Sequence, residues 1–255
     1  MEDFDTTRPN IARVYDYWLG GKNNFAADRD LAEKIIALNP LVAKMARANR
    51  AFVVAAVTRA AEAGVAQFLD LGAGLPTHPS TDEAARKVNP GARVAYVDND
   101  PVVVSHARAL LATRPGVTAA AADLTDTAAV LADPAVREVI DPGQPVCVIM
   151  ACVLHFLDAA KAQAVTAAYR DRAAAGSWIA TSVVHIASDE MQAVPPTDYT
   201  AGTFIYHGPQ DMAAWLAGWD VLPPGIGEAQ RWVSGIGGVP PSADSYVLCA
   251  AASRP

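Results

Sequence analysis

Short apolar runs alternate with longer segments of helical periodicity along most of the chain, and each of the first three runs empties into an acid. Residues 66–71, 93–97, 116–121, Val146–Ala151 and 178–184 are the runs. The run at Val146–Ala151 is apolar at every position, which suits a central parallel strand covered on both faces. Between the runs, turn and capping residues frame helices. Asn39 and Pro40 start one that continues to Gly64, Asp100 and Pro101 start another over 102–112, and Asp158 caps one that ends at Gly176. Shorter helices are predicted over 28–38, 81–88, 127–131 and 134–139. Strand and helix alternate five times, which predicts a doubly wound sheet with right-handed crossovers. The tail breaks the rhythm. Pro195-Pro196-Thr197 marks a loop, 209–217 a helix, 221–225 a proline-bearing strand and 245–251 a last apolar strand, with the last two predicted to pair antiparallel.

The expectation is therefore an α/β fold: a Rossmann-like, doubly wound, seven-stranded sheet, mostly parallel with an antiparallel last strand, and an N-terminal helical lid. Residues 1–64 form the lid or cap region. Residues 65–255 form the core, with a substrate-side insertion around 186–218. The lid carries an unusual block, from Arg13 to Phe25, in which Val14, Tyr17, Trp18 and Leu19 recur at helical spacing before Gly20-Gly21 ends the helix.

Composition narrows the class. The 255 residues are 52% hydrophobic and 18% charged, a folded globule large enough to need no disulfides. The formal net charge of −7 speaks against a nucleic-acid partner, although a local basic patch around Lys44, Arg47 and Arg50 stays open. Cys147, Cys152 and Cys249 read as reduced, buried thiols, and no Cys/His spacing suits a metal. The acidic start has no signal-peptide pattern, and no run is long enough to cross a membrane. A soluble, cytoplasmic protein is expected.

The chemistry sits at the strand ends. Asp70-Leu71-Gly72-Ala73-Gly74 places an acid before a turn whose glycines let a ligand approach the backbone. Asp98 ends the second strand, where a carboxylate accepts both hydroxyls of a ribose, and Asp123 ends the third. The pattern is that of a nucleoside-binding unit, with NAD(P), FAD and S-adenosylmethionine as the cofactors to weigh. A dinucleotide prefers a third glycine where Thr77 stands, and its pyrophosphate avoids Asp70. A cofactor with an amine and a sulfonium suits that acid, which puts S-adenosylmethionine ahead.

These residues carry a resemblance. The stretch from Phe68 to Gly74 resembles motif I of class I S-adenosylmethionine-dependent methyltransferases, and Val97-Asp98-Asn99-Asp100-Pro101 is similar to their second-strand motif. Ala122-Asp123-Leu124 and Leu154-His155-Phe156-Leu157 resemble the segments after strands three and four. The block from Arg13 to Phe25, together with Asp70 to Thr77 and Tyr96 to Pro101, resembles a bacterial family of S-adenosyl methyltransferases long carried as a domain of unknown function. The resemblance implies that Asp70, Gly72 and Gly74 hold the methionyl part and that Asp98 takes the ribose. It implies that Asn99, Asp123 and Leu124 meet the adenine and that Ala151 lines the methyl-donor end. Leu75-Pro76-Thr77 departs from the general pattern, in which many members have another glycine.

The expected activity is methyl transfer to O or N of a small molecule. His155 is the candidate base, with His185, His207 and His78 as weaker ones. Tyr15, Tyr17, Trp18 and Phe25 are candidates to cover the sulfonium, and Lys22 to pair with the methionyl carboxylate. Tyr199, Tyr206, Trp215 and Trp232 suggest an aromatic-lined acceptor cavity. Two rival readings remain: an S-adenosylmethionine-binding regulator without catalysis, and an NAD(P)-dependent oxidoreductase.

Overall fold

Each apolar run becomes a strand because both of its faces find cover. The computed structural model describes residues 5–186, 204–233 and 245–255. Its strands are β1 (Gln67–Leu71), β2 (Arg93–Asp98), β3 (Val117–Ala121), β4 (Val146–Ala151), β5 (Trp178–Ile186), β6 (Asp220–Val221), β7 (Gly227–Glu228) and β8 (Ser245–Ser253). They form one sheet in the order β3-β2-β1-β4-β5-β8-β6, with β7 also paired to β8. The first five strands run parallel. The last long strand, β8, runs antiparallel to β5 from Trp178↔Ser253 to Ile186↔Ser245.

The helices are α1 (Ile11–Trp18), α2 (Ala26–Leu38), α3 (Val42–Glu62), α4 (Thr81–Arg86), α5 (Pro101–Leu110), α6 (Thr127–Ala132), α7 (Pro134–Val139), α8 (Ala159–Arg172) and α9 (Pro209–Trp215). Side chains alternate across β1, so Phe68 packs with Phe52 and Val57 of α3 on one face. Leu69 and Leu71 pack on the other, in a cluster with Val136 of α7, Val165 of α8 and Trp215 of α9. Asp70 therefore belongs to the α3 face, where it meets polar groups rather than the second core.

Two details differ from the sequence expectation. The strand expected over 221–225 stops early, because Pro223 and Pro224 have no N–H to donate. Leu222 N–H still reaches Ala251 O at 3.0 Å, and the chain turns at Gly225 (φ 91°) to add β7, an eighth short strand. Asn39 does not cap α3, whose N-cap is Leu41. Instead Asn39 Nδ2 donates to Ser245 Oγ (2.8 Å), tying the helix approach to β8. The loop expected at 195–197 and Tyr199 lie outside the described residues.

Within the 1–64 segment, α1 and α2 make a small cluster of their own from Val14, Trp18 and Ala32, joined by Val42 and Ala46 of α3. The rest of α3 packs along the sheet. A buried ion pair holds α1 to α2, with Arg13 Nε 2.7 Å from Asp28 Oδ2. The same carboxylate accepts from Asn10 N–H and Phe25 N–H, each at 2.8 Å. Asn10 also donates to Asp100, the N-cap of α5, which fastens this segment to the carboxyl end of β2.

The Arg13–Phe25 block has a structural account in Asp16. Its buried carboxylate accepts from Asn23 N–H and Asn24 Nδ2, both at 2.9 Å. A Cβ at Gly21 would lie 2.0 Å from Asp16 Oδ1, so only glycine fits beneath it. Among the described residues, no helix is long and apolar enough to cross a membrane.

Candidate functional site

Strand order reverses between β1 and β4, and ligands of open α/β sheets bind at the carboxyl ends flanking such a point. A cleft of about 620 Å³ lies there. The β1 turn lines it through Asp70, Gly72 and Gly74, the β2 end through Asp98 and Asn99, and the β3 end through Asp123 and Leu124. Ala151 and Cys152 close the β4 side, while Ile11, Tyr15 and Asp16 of α1 and Asn49 and Arg50 of α3 form the opposite wall.

The two glycines differ in what they leave free. Both adopt left-handed backbone, at φ 66° for Gly72 and 65° for Gly74. A Cβ on Gly72 would strike Val153 Cγ1 at 2.3 Å, so this position must be bare for the strand ends to close. A Cβ on Gly74 would meet nothing within 4 Å, so this position leaves space on the cleft side. Gly74 N–H donates to Asp98 Oδ2 (3.0 Å), and Asp100 N–H donates to Asp98 Oδ1 (3.0 Å). Both Asp98 oxygens are thus aimed by backbone groups, each with a lone pair left for a further donor.

The charges lining the cleft are unequal. Asp16, Asp70, Asp98, Asp100 and Asp123 face Arg50 and Lys161. Burial raises the Asp70 carboxyl above its ordinary 3.8, opposed by the Thr81 hydroxyl (2.6 Å) and by Arg50. Burial also raises Asp98, opposed by its two backbone donors. A cleft lined mainly by carboxylates attracts a cationic ligand. S-Adenosylmethionine carries an ammonium, a sulfonium and one carboxylate, so the donor set fits its net positive charge. Arg50 is available to the carboxylate, although one of its nitrogens already donates to Pro79 O (2.9 Å).

Behind the cleft lies a run of buried polar side chains. Tyr15 Oη donates to Ala46 O (3.0 Å) and accepts from Asn49 Nδ2 (2.9 Å). Asn49 Oδ1 accepts from Ser182 Oγ (2.6 Å), which accepts from Cys152 N–H (3.1 Å). Cys152 is the sole non-glycine with positive φ among the described residues, at 56°. Such strain persists where its surroundings over-determine it, and here the Ser182 carbonyl also accepts from Cys152 N–H (2.8 Å). Burial pushes the Cys152 thiol up to about 12, so it is no thiolate nucleophile.

A second cavity, of about 250 Å³, lies on the other side of this wall. Ile11, Tyr15 and Cys152 line both spaces. Its remaining walls are mostly apolar or aromatic, among them Trp18, Val42, Met45, Phe204 and Tyr206, with Asn39 the polar exception beside His155. His155 lines it too, 4% exposed, stacked on Phe204 at 4.3 Å. Burial, and then the neighbouring His207, lower the His155 imidazole to about 3. It is neutral at physiological pH.

Several expected residues fall elsewhere. Tyr17 lies two positions past Tyr15, roughly 200° around the helix, and its hydroxyl donates to Glu33 away from the cleft. Lys22 is exposed in the turn after α1 and lines neither cavity. Phe25 does not line the cleft either; it packs under the Arg13 guanidinium. His78 is exposed and pairs with Glu83 (2.8 Å). His185 and His207 bond backbone carbonyls, of His207 (2.8 Å) and Leu157 (2.9 Å) respectively. Of the expected aromatic cluster, Tyr206 lines the apolar cavity, Trp215 packs on His207, and Trp232 packs on Phe52.

Arg50, Asn49 and Tyr15 are the cleft residues that sequence reasoning left out or underweighted. The available signal was Asn49, a polar residue interrupting the apolar face formed by Met45, Phe52 and Val53 of α3.

The profile of a family described as S-adenosyl methyltransferase matches residues 1–254. The crystal structure of a candidate methyltransferase from Thermobifida fusca YX is similar, with TM-score 0.90 and 35% identity, covering 98% of this chain and 96% of that one. So is that of a DUF574 family protein from Streptomyces avermitilis MA-4680, with TM-score 0.87 and 30% identity over 98% and 99% of the two chains. Magnesium protoporphyrin IX methyltransferase from Synechocystis PCC 6803 shares the fold over the full length of both chains, at TM-score 0.52 and 16% identity. No curated protein matches the chain. The family match decides the cofactor in favour of S-adenosylmethionine over a nicotinamide dinucleotide. With a doubly wound, mostly parallel α/β sheet and a carboxylate-lined cleft at its switch point, the chain belongs to the S-adenosyl methyltransferase family.

Proposed function

We propose that this protein transfers the methyl group of S-adenosylmethionine to an oxygen or nitrogen of a small molecule held in the apolar cavity. The observation that carries this reading is the shared wall: Ile11, Tyr15 and Cys152 belong to both the polar cleft and the apolar cavity. A donor on one side and an acceptor on the other would meet there.

In this reading Gly72, Gly74 and Asp70 hold the methionyl part, and Arg50 takes its carboxylate in place of Lys22. Asp98 accepts from the ribose hydroxyls, and Asn99, Asp123 and Leu124 flank the adenine. Tyr15 takes the place expected of Tyr17, and Ala151 lines the methyl-donor end. Residues 1–64 act as the cap, with α1 covering both ligands.

When bound, S-adenosylmethionine supplies a methyl group already activated on a positively charged sulfur. The chain's task is placement. Fixing donor and acceptor in line removes much of the barrier, because the entropy of bringing them together is lost on binding rather than at the transition state. Tyr15, held by Ala46 and Asn49, keeps one wall rigid, and the apolar lining excludes water. The acceptor is a small molecule rather than a nucleic acid, a reading supported by the net charge of −7. The three free thiols support a reducing, cytoplasmic setting.

The test is calorimetry with S-adenosylhomocysteine followed by a radiolabelled methyl-transfer screen over small-molecule acceptors. Micromolar binding and transfer to at least one acceptor are expected. Absence of binding would refute the reading. Binding with no transfer to any acceptor would favour a regulatory protein instead.

A further inference from the structure

We propose that the apolar cavity takes a neutral one- or two-ring phenol and presents its hydroxyl to His155, which makes O-methylation the reaction. The inference rests on the methyltransferase reading and names the acceptor of that same site.

Three observations lead to it. The first is size. At about 250 Å³ the cavity lies just below the usual ligand-pocket range of ~300–1,000 Å³. A one- or two-ring molecule fits, and a macrocycle or a folded peptide does not. The second is charge. Among the described residues no Asp, Glu, Lys or Arg side chain lines this cavity. Against the described walls an ammonium or carboxylate would lose its hydration without gaining a counter-ion, which is costly. Tyr15, Trp18, Phe204 and Tyr206 instead offer aromatic faces and edges, which favour a ring.

The third is an unmet hydrogen bond. The polar side chains around the cavity are largely committed. Asn39 donates to Ser245 Oγ and accepts from Leu41 N–H. Tyr15 is engaged by Ala46 and Asn49. His155 and Tyr206 are the exceptions: among the described residues no hydrogen bond engages the Tyr206 hydroxyl, and His155, stacked on Phe204, has Nδ1 buried without a partner, which leaves Nε2 as the nitrogen that can meet a ligand. A neutral imidazole has one acceptor nitrogen and one donor. A phenol donates to that nitrogen without adding charge.

The step balances without any co-reactant beyond the methyl donor. An oxygen lone pair forms the new O–CH3 bond. The electron pair of the broken C–S bond stays on sulfur, which becomes a neutral thioether. The phenolic proton passes to the His155 nitrogen and from there to solvent. The buried imidazole is a weak base, lowered to about 3, yet it remains more basic than the methylated oxonium from which it takes the proton.

The experiment uses the full chain loaded with S-adenosylhomocysteine and four probes of one shape: 2-naphthol, naphthalene, 2-naphthoate and 2-naphthylmethylammonium. Calorimetry is expected to rank 2-naphthol first, at least tenfold tighter than either ion. It should bind about two- to tenfold tighter than naphthalene, the worth of one neutral hydrogen bond. In His155→Phe the difference between 2-naphthol and naphthalene should vanish. Leu38, 59% exposed at the cavity, allows a second variant with little risk to folding. Leu38→Trp should weaken 2-naphthol and leave S-adenosylhomocysteine affinity unchanged. Mass spectrometry should find 2-methoxynaphthalene when S-adenosylmethionine is supplied. Equal or tighter binding of either ion overturns the proposal. So does the failure of every probe to bind a chain that does bind S-adenosylhomocysteine, a result that leaves the methyltransferase reading standing. If S-adenosylhomocysteine itself does not bind, the methyltransferase reading falls and the phenol falls with it.

Discussion

Gly72 and Gly74 have nearly the same φ, yet the structure assigns them different tasks, and alanine substitutions separate the two. Placing a side chain in left-handed backbone costs about 1–2 kcal/mol at either position. At Gly74 that is the whole steric cost, since the new methyl group meets nothing within 4 Å. At Gly72 the methyl group would lie 2.3 Å from Val153 Cγ1, well inside the ~3.5–4.0 Å of an ordinary carbon contact. Relieving that overlap adds about 1–3 kcal/mol. Gly72→Ala should therefore lose about 2–5 kcal/mol and Gly74→Ala about 1–2 kcal/mol. Urea unfolding followed by circular dichroism measures both. Combining Gly72→Ala with Val153→Ala should recover the steric part and leave the backbone part, so the pair should couple by about 1–3 kcal/mol in a double-mutant cycle. Calorimetry with S-adenosylhomocysteine should show the opposite emphasis, with Gly74→Ala weakening the cofactor more than its stability loss explains. Equal destabilisation by the two alanines, or no recovery with Val153→Ala, would refute the reasoning.

Three further outcomes follow from the site and its cap. If Asp98 accepts both ribose hydroxyls as proposed, Asp98→Ala removes two charge-assisted hydrogen bonds worth about 1.5–3 kcal/mol each, so S-adenosylhomocysteine should bind at least about 100-fold more weakly by calorimetry. Asp70 and Asp98 both sit above 3.8 in the folded chain, so between 3.8 and their raised values the folded chain holds more protons than the unfolded one. The ligand-free protein should lose their contribution to stability as pH rises through that window. A cationic cofactor favours their ionised forms, so its affinity should rise over the same window. Asp98→Asn should flatten part of that rise, and an affinity that falls with pH there would count against the assignment. Asp28→Ala removes the buried carboxylate that Arg13 and the Asn10 and Phe25 N–H groups share, a change of about 3–5 kcal/mol. Hydrogen exchange should then speed up across residues 11–38 while the protection of β1 and β4 is kept, and uniform loss of protection would show that the cap and sheet unfold together.

The sequence by itself determined the parts of this protein whose chemistry is local. A short apolar-rich run framed by turn and capping residues marks a strand, so the five parallel strands and their order of appearance could be read directly, with β4 apolar at every position because both of its faces are covered. Asp70, Gly72, Gly74 and Asp98 were legible because an acid at a strand end and a bare backbone turn are needed at one place whatever surrounds them. The Arg13–Phe25 block was visible as unusual, but its reason was hidden. Asp16 grips Asn23 and Asn24 over a glycine that admits no Cβ, and that is a three-dimensional fact.

Only the tertiary structure decided which face of α1 lies on the cleft. Tyr15 and Tyr17 have equal claims in the sequence, and packing of Val14 and Trp18 against α2 and α3 turns Tyr15 inward and leaves Tyr17 beside Glu33. Arg50 reaches the cleft while Lys44 and Arg47 of the same helix do not line it, and Lys22 does not reach it at all. His155 follows β4 as the sequence suggests, yet burial against Phe204 makes it neutral, a change of environment that no spacing encodes. The apolar cavity is assembled from residues as far apart as Ile11 and Val247. A strand end carries its function in a few consecutive residues. A cavity exists only between elements, and folding alone brings its walls together.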